Sequence, residues 1–340
     1  MKAEPLTRRF GIAAVAFAAA VGVLVGLAFL AGASPVDALR ALAEGAAGSP
    51  AALGETATRA TALVLTALGA SVAFRAGVLN IGLEGQFLAG AVAAAAIGPL
   101  FSASPVAARI ALLGAAALAG ALWVLPAAWL EMRRGVPEVL STILLNLVAA
   151  AAVSGLVRGA LQDPAADYPQ SRALEEAVRF APLASGSRAT AAILVALALA
   201  LLTALVLERT PLGLKLRATG LAPAAARAIG LPSARLRLLT FAASGALAGL
   251  AGGLEVAAVT GRLYDPFSAG AGYTGIAAAL LGGSNPLAAA ASAVLFAGLG
   301  AGSSAMQRDT GIPGALATIV PGVLVLAVLA ARARRPGNEP

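Results

Sequence analysis

A short run of polar side chains, RAGVLNIGLEGQFLAG at 75–90, lies between long apolar stretches of this sequence. It collects four polar residues within twelve positions: Arg75, Asn80, Glu84 and Gln86. Amide and carboxylate groups donate to and accept from neutral polar molecules, so this residue set suits binding of a small polar solute. In hydrocarbon an unmet polar group costs several kcal/mol, so the cluster requires internal partners, water or a function.

Two interpretations of the 75–90 stretch are open. In the first, Asn80 caps a helix, and Glu84 lies one turn further along the same face, where the helix dipole favours a carboxylate. In the second, Asn80, Glu84 and Gln86 line a substrate pathway.

Polar residues also interrupt two other apolar runs. Glu138, Thr142 and Asn146 recur every four residues and would share one face of a helix. Such a stripe indicates either hydrogen bonds between helices or the lining of a pathway. Glu255 is an acid inside an apolar run, which makes it a functional candidate, although it can also pair with Arg262.

The composition predicts an all-α polytopic membrane protein. Of 340 residues, 59% are hydrophobic and 12% are charged, against roughly a quarter charged in soluble domains. Mean hydropathy is +0.88, and apolar runs of about 20 residues, long enough to cross a bilayer, recur throughout. The alternating segments of a membrane barrel are absent from the sequence.

Several kinds of chemistry are excluded or disfavoured. Cysteine and histidine are absent, which removes disulfides, thiolate nucleophiles and the commonest metal ligand and general base, so no metal site and no catalytic residue are predicted. No GxxxxGK[ST] loop is present, so the chain does not hydrolyse ATP through such a loop. The net charge of +8 comes from arginines that flank apolar spans, and it predicts membrane topology rather than a nucleic-acid partner.

About ten spans are predicted, at 10–33, 60–74, 83–101, 107–130, 139–157, 189–207, 238–260, 272–283, 287–303 and 313–331. This number puts the basic clusters on one side and the balanced 158–188 segment on the other, so both termini are predicted to be cytoplasmic. Spans two to five and seven to ten have opposite orientations. Each set has an early, glycine-interrupted element, Gly77–Gly85 and Gly270–Gly283, which favours an inverted repeat with a site between its halves.

The basic segment 208–237 is predicted to be a cytoplasmic loop. Membrane topology explains its arginines. It does not explain the compact apolar segment between Gly220 and Gly230, which suits docking into a groove of another protein.

The sequence from about 57 to 329 resembles the permeases of ATP-binding-cassette importers of the ribose and branched-chain amino-acid type, and most closely their nucleoside (simple-sugar-type) branch. The resemblance is carried by GVLNIGLEGQFLAG (77–90), GVPEVLSTILLN (135–146), DPAADYPQS (163–171), LGLKLRATGLAPAAARAIGL (212–231), SGALAGLAGGLEV (244–256) and GIAAALLGGSNPLAAAASAVLFAGLGAGSSAMQ (275–307). One departure is Pro137, which stands where these permeases commonly have an Asn before the Glu.

The resemblance implies a translocation subunit of the cell membrane that is not itself an enzyme. It implies as partners two cytoplasmic ATPases that carry ATP and Mg, a second homologous permease and an extracytoplasmic substrate-binding lipoprotein, with no cofactor on this chain. The expected ATPase contacts are Gly220, Ala224, Ala225, Arg227 and Gly230. The alternative function is a proton-coupled secondary transporter that uses Glu84, Glu138 or Glu255. A third function, a membrane-embedded enzyme, is supported by no set of residues in the sequence.

Overall fold

The computed structural model of the protein describes residues 18, 21–26, 28–30, 32–100, 104–283, 285–312 and 319–333. These residues form an all-α structure in which the β pairings are isolated bridges. In chain order the helices are α1 (Pro35–Ala47), α2 (Pro50–Arg75), α3 (Leu83–Ile97), α4 (Pro105–Trp123), α5 (Leu125–Arg134), α6 (Glu138–Val157), α7 (Ala192–Arg209), α8 (Pro211–Leu221), α9 (Pro223–Ala228), α10 (Ser233–Glu255), α11 (Ala271–Gly282), α12 (Pro286–Thr310) and α13 (Ile319–Ala333).

Seven helical stretches of the described part are long and apolar enough to cross a membrane: Pro50–Arg75, Leu83–Leu100, Pro105–Arg134, Glu138–Val157, Ala192–Arg209, Ser233–Thr260 and Pro286–Thr310. They coincide with seven of the ten predicted spans. The predicted spans 10–33 and 313–331 lie partly outside the described residues. The predicted span 272–283 is α11, which has 12 residues. Such a helix is only about 18 Å long, too short to cross alone. Ten spans and an inverted repeat stay predictions.

The second span begins ten residues earlier than the sequence predicted, because α2 starts at Pro50 rather than at 60. The Ser49 hydroxyl accepts from the Ala52 N–H (3.1 Å), and proline suits the first helical turn, so Ser49 and Pro50 form a helix start. The charged side chains of Glu55 and Arg59 make this first part of α2 polar.

The described chain divides into two compact units, residues 60–294 and residues 1–59 with 295–340. In the smaller unit, α1 packs against the C-terminal part of α12 through small residues. A Cβ added to Gly302 would collide with the Leu42 carbonyl, and one added to Gly45 with the Ala305 side chain. The Arg59 guanidinium donates to the Ser304 hydroxyl (3.2 Å).

Glycines bring the central helices of the larger unit together. On α10, Gly245 and Gly249 lie four residues apart and face Gly120 of α4, where a Cβ on any of the three would overlap the opposing backbone. Gly90 of α3 meets Gly249 in the same way, and Gly252 meets the Phe87 carbonyl. Close approach through small residues is the usual packing of membrane helices. It fixes α3 against α10 near the polar 75–90 stretch.

A second core forms where α2, α5, the end of α7, α8 and the start of α10 meet. Its buried members are Val72, Ala73, Ala76, Val78, Val124, Ala128, Leu207, Leu216, Leu236 and Phe241. Arg75 extends this contact, since its guanidinium donates to the Leu207 carbonyl (3.2 Å) and pairs with Glu208 (2.8 Å).

The irregular segment 158–191 is fixed to the end of α10, where a π-helical turn spans Val256–Thr260. Backbone bonds join Ser171 to Leu263 (2.7 Å) and Phe180 to Ala257 (3.0 Å). The guanidinium of Arg109 donates to three successive carbonyls at 177–179, at 2.7–3.0 Å, and lies over the Phe180 ring. The segment is therefore ordered by contacts to two helices.

Candidate functional site

Asn80 and Gln86 form a buried amide pair in which each side chain bonds to the other. The Asn80 Nδ2 donates to Gln86 Oε1 (3.0 Å) and to the Ser244 hydroxyl of α10 (2.9 Å). Its Oδ1 accepts from Gln86 Nε2 (2.9 Å) and from the Gly82 N–H (3.0 Å). Asn80 is 0% exposed and Gln86 1%. Every donor and acceptor of the Asn80 side chain is used.

The interpretation of Asn80 as a helix cap is wrong. Helix α3 starts at Leu83. Its N-cap residue is Gly82, which has no side chain with which to cap the helix. Asn80 lies two residues before the cap and closes the turn instead. It fixes this turn to α10 through Ser244.

Asn146, on α6, accepts a hydrogen bond from the backbone at the start of α3. Its Oδ1 accepts from the Gly85 N–H (2.8 Å), one of the N-terminal groups of α3 that lack an intrahelical acceptor. Its Nδ2 donates to the Ile81 carbonyl (3.0 Å) and to the Tyr273 hydroxyl (3.1 Å). One buried amide thus joins α6, the turn before α3 and α11.

Glu84 joins the first turns of two helices. It lies in the first turn of α3, and its Oε2 accepts from the Gly272 N–H (2.7 Å) in the first turn of α11. A Cβ on Gly272 would overlap the Glu84 backbone, so glycine permits this approach. Both helix dipoles favour negative charge at this point. The two glycine-interrupted elements that the sequence paired are therefore in contact, although this contact does not establish a repeat.

Thr142 and Glu138 have different surroundings from Asn146. The Thr142 hydroxyl is buried and donates to the Glu138 carbonyl of its own helix (2.6 Å). The Glu138 carboxylate accepts from the Leu79 N–H (3.3 Å) and lies 3.7 Å from the Arg237 guanidinium. Arg237 pairs more closely with Glu131 (2.8 Å). Glu138 thus belongs to an ion cluster at the start of α6, about 12 Å along the helix from Asn146.

Glu255 is partly buried at the last residue of α10, where the π-helical turn begins. It follows Ser244 by eleven residues, or about 16 Å along a helix. The structure therefore places it at the opposite end of α10 from the ion cluster of Arg237.

The predicted coupling segment contains the short helix α9. Ala224, Ala225 and Arg227 of this helix and the following Gly230 are exposed. Gly220 differs, since a Cβ added there would lie 2.6 Å from the Arg75 carbonyl oxygen, so its backbone packs inward.

An apolar cavity of about 520 Å³ lies between α3, α4, α6 and the start of α5. It is lined by Ala89, Val92, Ala93, Ala119, Leu122, Trp123, Pro126, Leu145, Ala149, Ala152 and Leu156. The predicted pathway residues do not line it. The described residues also contain no group of three His, Cys, Asp or Glu side chains that could hold a metal ion.

Sequence reasoning missed two residues of this arrangement, Ser244 and Tyr273. Ser244 opens the SGALAGLAGGLEV motif and looks like one more small residue of a helix interface. Tyr273 is an aromatic residue at the start of an apolar helix, and a tyrosine usually finds a hydrogen-bond partner, which was the available signal.

The site thus consists of buried amides, a carboxylate between two helix starts and glycine-packed apolar helices. Residues 52–329 match the family of permease components of branched-chain amino acid transport systems, and the chain belongs to that family. It is a multi-pass membrane permease.

The chain is similar over most of its length to permeases of three other organisms. It is 33% identical to a glucose ABC transporter permease of Haloferax volcanii, over 86% of this chain and 80% of the relative. It is 32% identical to a guanosine ABC transporter permease of Bacillus subtilis, over 95% and 93%. A nucleoside ABC transporter permease of Lactococcus lactis is 29% identical, over 92% and 88%. No solved structure matches the chain.

Proposed function

We propose that this permease is the translocation subunit of an ATP-binding-cassette importer and that its substrate is a nucleoside. The observation that carries the proposal is the buried frame of amides around Asn80 and Asn146, joined through Glu84 to a second helix start. In a family of transport permeases, polar groups held at one place between broken apolar helices suit a substrate pathway. Guanosine and nucleoside permeases among the relatives support the substrate class.

The pathway wall is built from the residues of this frame and its neighbours, Asn80, Glu84, Gln86, Thr142 and Asn146. Glu138 and Glu255 mark the two ends of the proposed path. Glu138 is the first residue of α6 and lies near the start of α10, whereas Glu255 is the last residue of α10. Asn80 and Gln86 use their polar groups on each other, so their role in the wall is to hold its shape.

The ATPase partner docks on α9 and the exposed residues around it. Leu221 and Ile229 are 65% and 75% exposed on either side of this helix, next to the basic Arg227. The complex contains two cytoplasmic ATPases that carry ATP and Mg, a second permease that completes the pathway, and an extracytoplasmic lipoprotein that delivers substrate. Both termini face the cytoplasm in this arrangement, and the complex resides in the cell membrane.

The experiment is uptake by the complex reconstituted in proteoliposomes with its ATPase, its second permease and its binding lipoprotein. Guanosine, adenosine, cytidine, guanine, glucose and ribose are offered at equal concentration, with ATP and with a non-hydrolysable analogue. ATP-dependent uptake of nucleosides supports the proposal. Uptake of glucose or ribose alone would contradict the substrate class. Glucose is included because one of the relatives, from Haloferax volcanii, is a glucose ABC transporter permease.

A proton-coupled transporter makes the opposite prediction about energy. The isolated permease would then take up substrate under a proton gradient without ATP, and Glu84→Gln would abolish that uptake. Such a result would replace the importer mechanism.

A further inference from the structure

Tyr273 is bonded to the buried frame of amides through Asn146 and is itself exposed. It is the third residue of α11, directly after Gly272, and the residue is 46% exposed. Asn80, Gln86 and Asn146 are at most 3% exposed. A solute that approaches this frame therefore meets the Tyr273 ring before it meets the amides.

Two contacts hold Tyr273 in place. The Asn146 Nδ2 donates to its hydroxyl oxygen (3.1 Å), and the bond from the Gly272 N–H to Glu84 fixes the adjacent backbone. In the part of the chain that the structure describes, the Tyr273 hydroxyl accepts a hydrogen bond and donates none. A phenol both donates and accepts, so its proton stays available for a ligand.

Further aromatic rings lie on the elements on both sides of Tyr273. Phe87 on α3, three residues after Glu84, stacks on Phe267, with ring centroids 5.9 Å apart and planes at 29°. Tyr264 meets Phe267 edge-on at 5.5 Å and is 39% exposed. Phe267 and Tyr264 belong to the segment that leads into α11. The contact of α3 with α11 and with the segment before it therefore combines a polar frame with aromatic rings.

We infer that Tyr273 is a substrate contact that determines specificity, stacking on the planar ring of a nucleobase while its hydroxyl donates to a ring nitrogen or carbonyl oxygen. This inference rests on the proposed function and deepens it. An aromatic side chain offers every base a face to stack on, and a phenolic hydroxyl adds one directed polar contact. Asn146 and Glu84 act as positioning residues that set the orientation of the ring.

The test compares Tyr273→Phe and Tyr273→Leu with the parent permease in the complete reconstituted complex. Initial rates of guanosine uptake against concentration give KM and the maximal rate separately. Loss of the ring in Tyr273→Leu is expected to raise KM about tenfold or more, because stacking of one base on an aromatic ring strengthens binding by about that factor. Tyr273→Phe keeps the ring and should raise KM less. The matched control is Ile276→Ala, one turn further along α11 at a partly buried position, which should keep the parent KM.

An unchanged KM in Tyr273→Leu overturns the inference. If Tyr273→Leu fails to assemble, Tyr273→Phe decides, since a higher KM in an assembled complex supports the hydroxyl contact and a parental KM overturns it. If both variants lose the second permease during size-exclusion chromatography, Tyr273 is a contact between subunits and the inference is wrong. Failure of the proposed function is seen separately, because the parent complex would then transport a sugar and no nucleoside, and the nucleobase contact would be overturned with it.

Discussion

Removal of the Glu84 carboxylate should loosen the contact between α3 and α11. Its Oε2 accepts from the Gly272 N–H at 2.7 Å, and the side chain is 7% exposed. Glu84→Ala deletes the acceptor and leaves the Gly272 N–H buried without a partner. Glu84→Gln keeps an oxygen in nearly the same place but removes the negative charge.

The two substitutions should differ in size. A hydrogen bond to a charged group contributes about 1.5–3 kcal/mol and a neutral one about 0.5–1.5 kcal/mol, so Glu84→Gln should cost about 1 kcal/mol. Glu84→Ala should cost about 2–4 kcal/mol, since the desolvated N–H of Gly272 adds to the lost bond. Glu84→Ala should therefore be clearly less stable than Glu84→Gln.

The assay is the thermal midpoint of the detergent-extracted permease, followed by fluorescence-detected size-exclusion chromatography, with guanosine uptake by the complex as a second measurement. Glu176→Ala is the control, because Glu176 is an exposed acid in the segment 158–191. We expect midpoints in the order parent, Glu84→Gln, Glu84→Ala. A parental midpoint for Glu84→Ala would refute the helix-joining role, and equal losses in both variants would refute the role of the charge.

Three other predictions rest on a glycine contact, on the Asn146 amide and on the ion pair of Arg158 with Asp265. Gly249→Leu should abolish recovery of monodisperse permease because its side chain meets the Gly120 backbone, whereas Gly114→Leu, in open space, should be recovered as the parent is. Asn146→Leu should lower the thermal midpoint by the equivalent of about 1–3 kcal/mol, since it leaves buried backbone N–H and C=O groups unpaired. The Arg158 guanidinium lowers the pKa of the Asp265 carboxyl, so the stability from this pair is present above the ordinary aspartate pKa of about 3.9 and is lost as the pH falls through the lowered value. The difference in midpoint between Asp265→Asn and the parent should therefore be constant from about pH 5 to 8.

Hydropathy was sufficient to find the seven long apolar helical stretches of the described residues, because a span long enough to cross hydrocarbon leaves a long apolar run in the sequence. The start of α2 was missed for a physical reason. Ser49 and Pro50 carry the local signal of a helix start, but the polar Glu55 and Arg59 that follow hide it from a hydropathy criterion. Their stabilising contacts include one to Ser304, which is 245 residues from Arg59.

The polar residues of the candidate site were also visible in the sequence, but their partners were not. Asn146 was found because it interrupts an apolar helix at a spacing of four from Thr142. Its bonds go to Gly85, 61 residues away, and to Tyr273, 127 residues away. A local rule assigns the hydrogen bond to the start of α3 to Asn80, whereas in the structure the Gly85 N–H of α3 donates to Asn146 of α6. Partners set by tertiary packing leave no periodic pattern, so spacing alone cannot assign them.

The distribution of satisfied and unsatisfied polar groups indicates where this permease can change conformation. The Asn80 side chain uses all of its donors and acceptors, and any rearrangement there would break buried bonds that hydrocarbon cannot replace. The cluster of Arg237, Glu131 and Glu138 is different: among the described residues, the Arg237 Nε and the Glu131 Oε2 are buried without a hydrogen-bond partner. An incompletely satisfied ion cluster loses less when it opens. Glu138 accepts from the Leu79 N–H, next to Asn80, and Arg237 lies five residues after Pro232, at the end of the segment that carries α9. Motion of that segment would therefore reach the frame through the ion cluster, and the frame would move as one body.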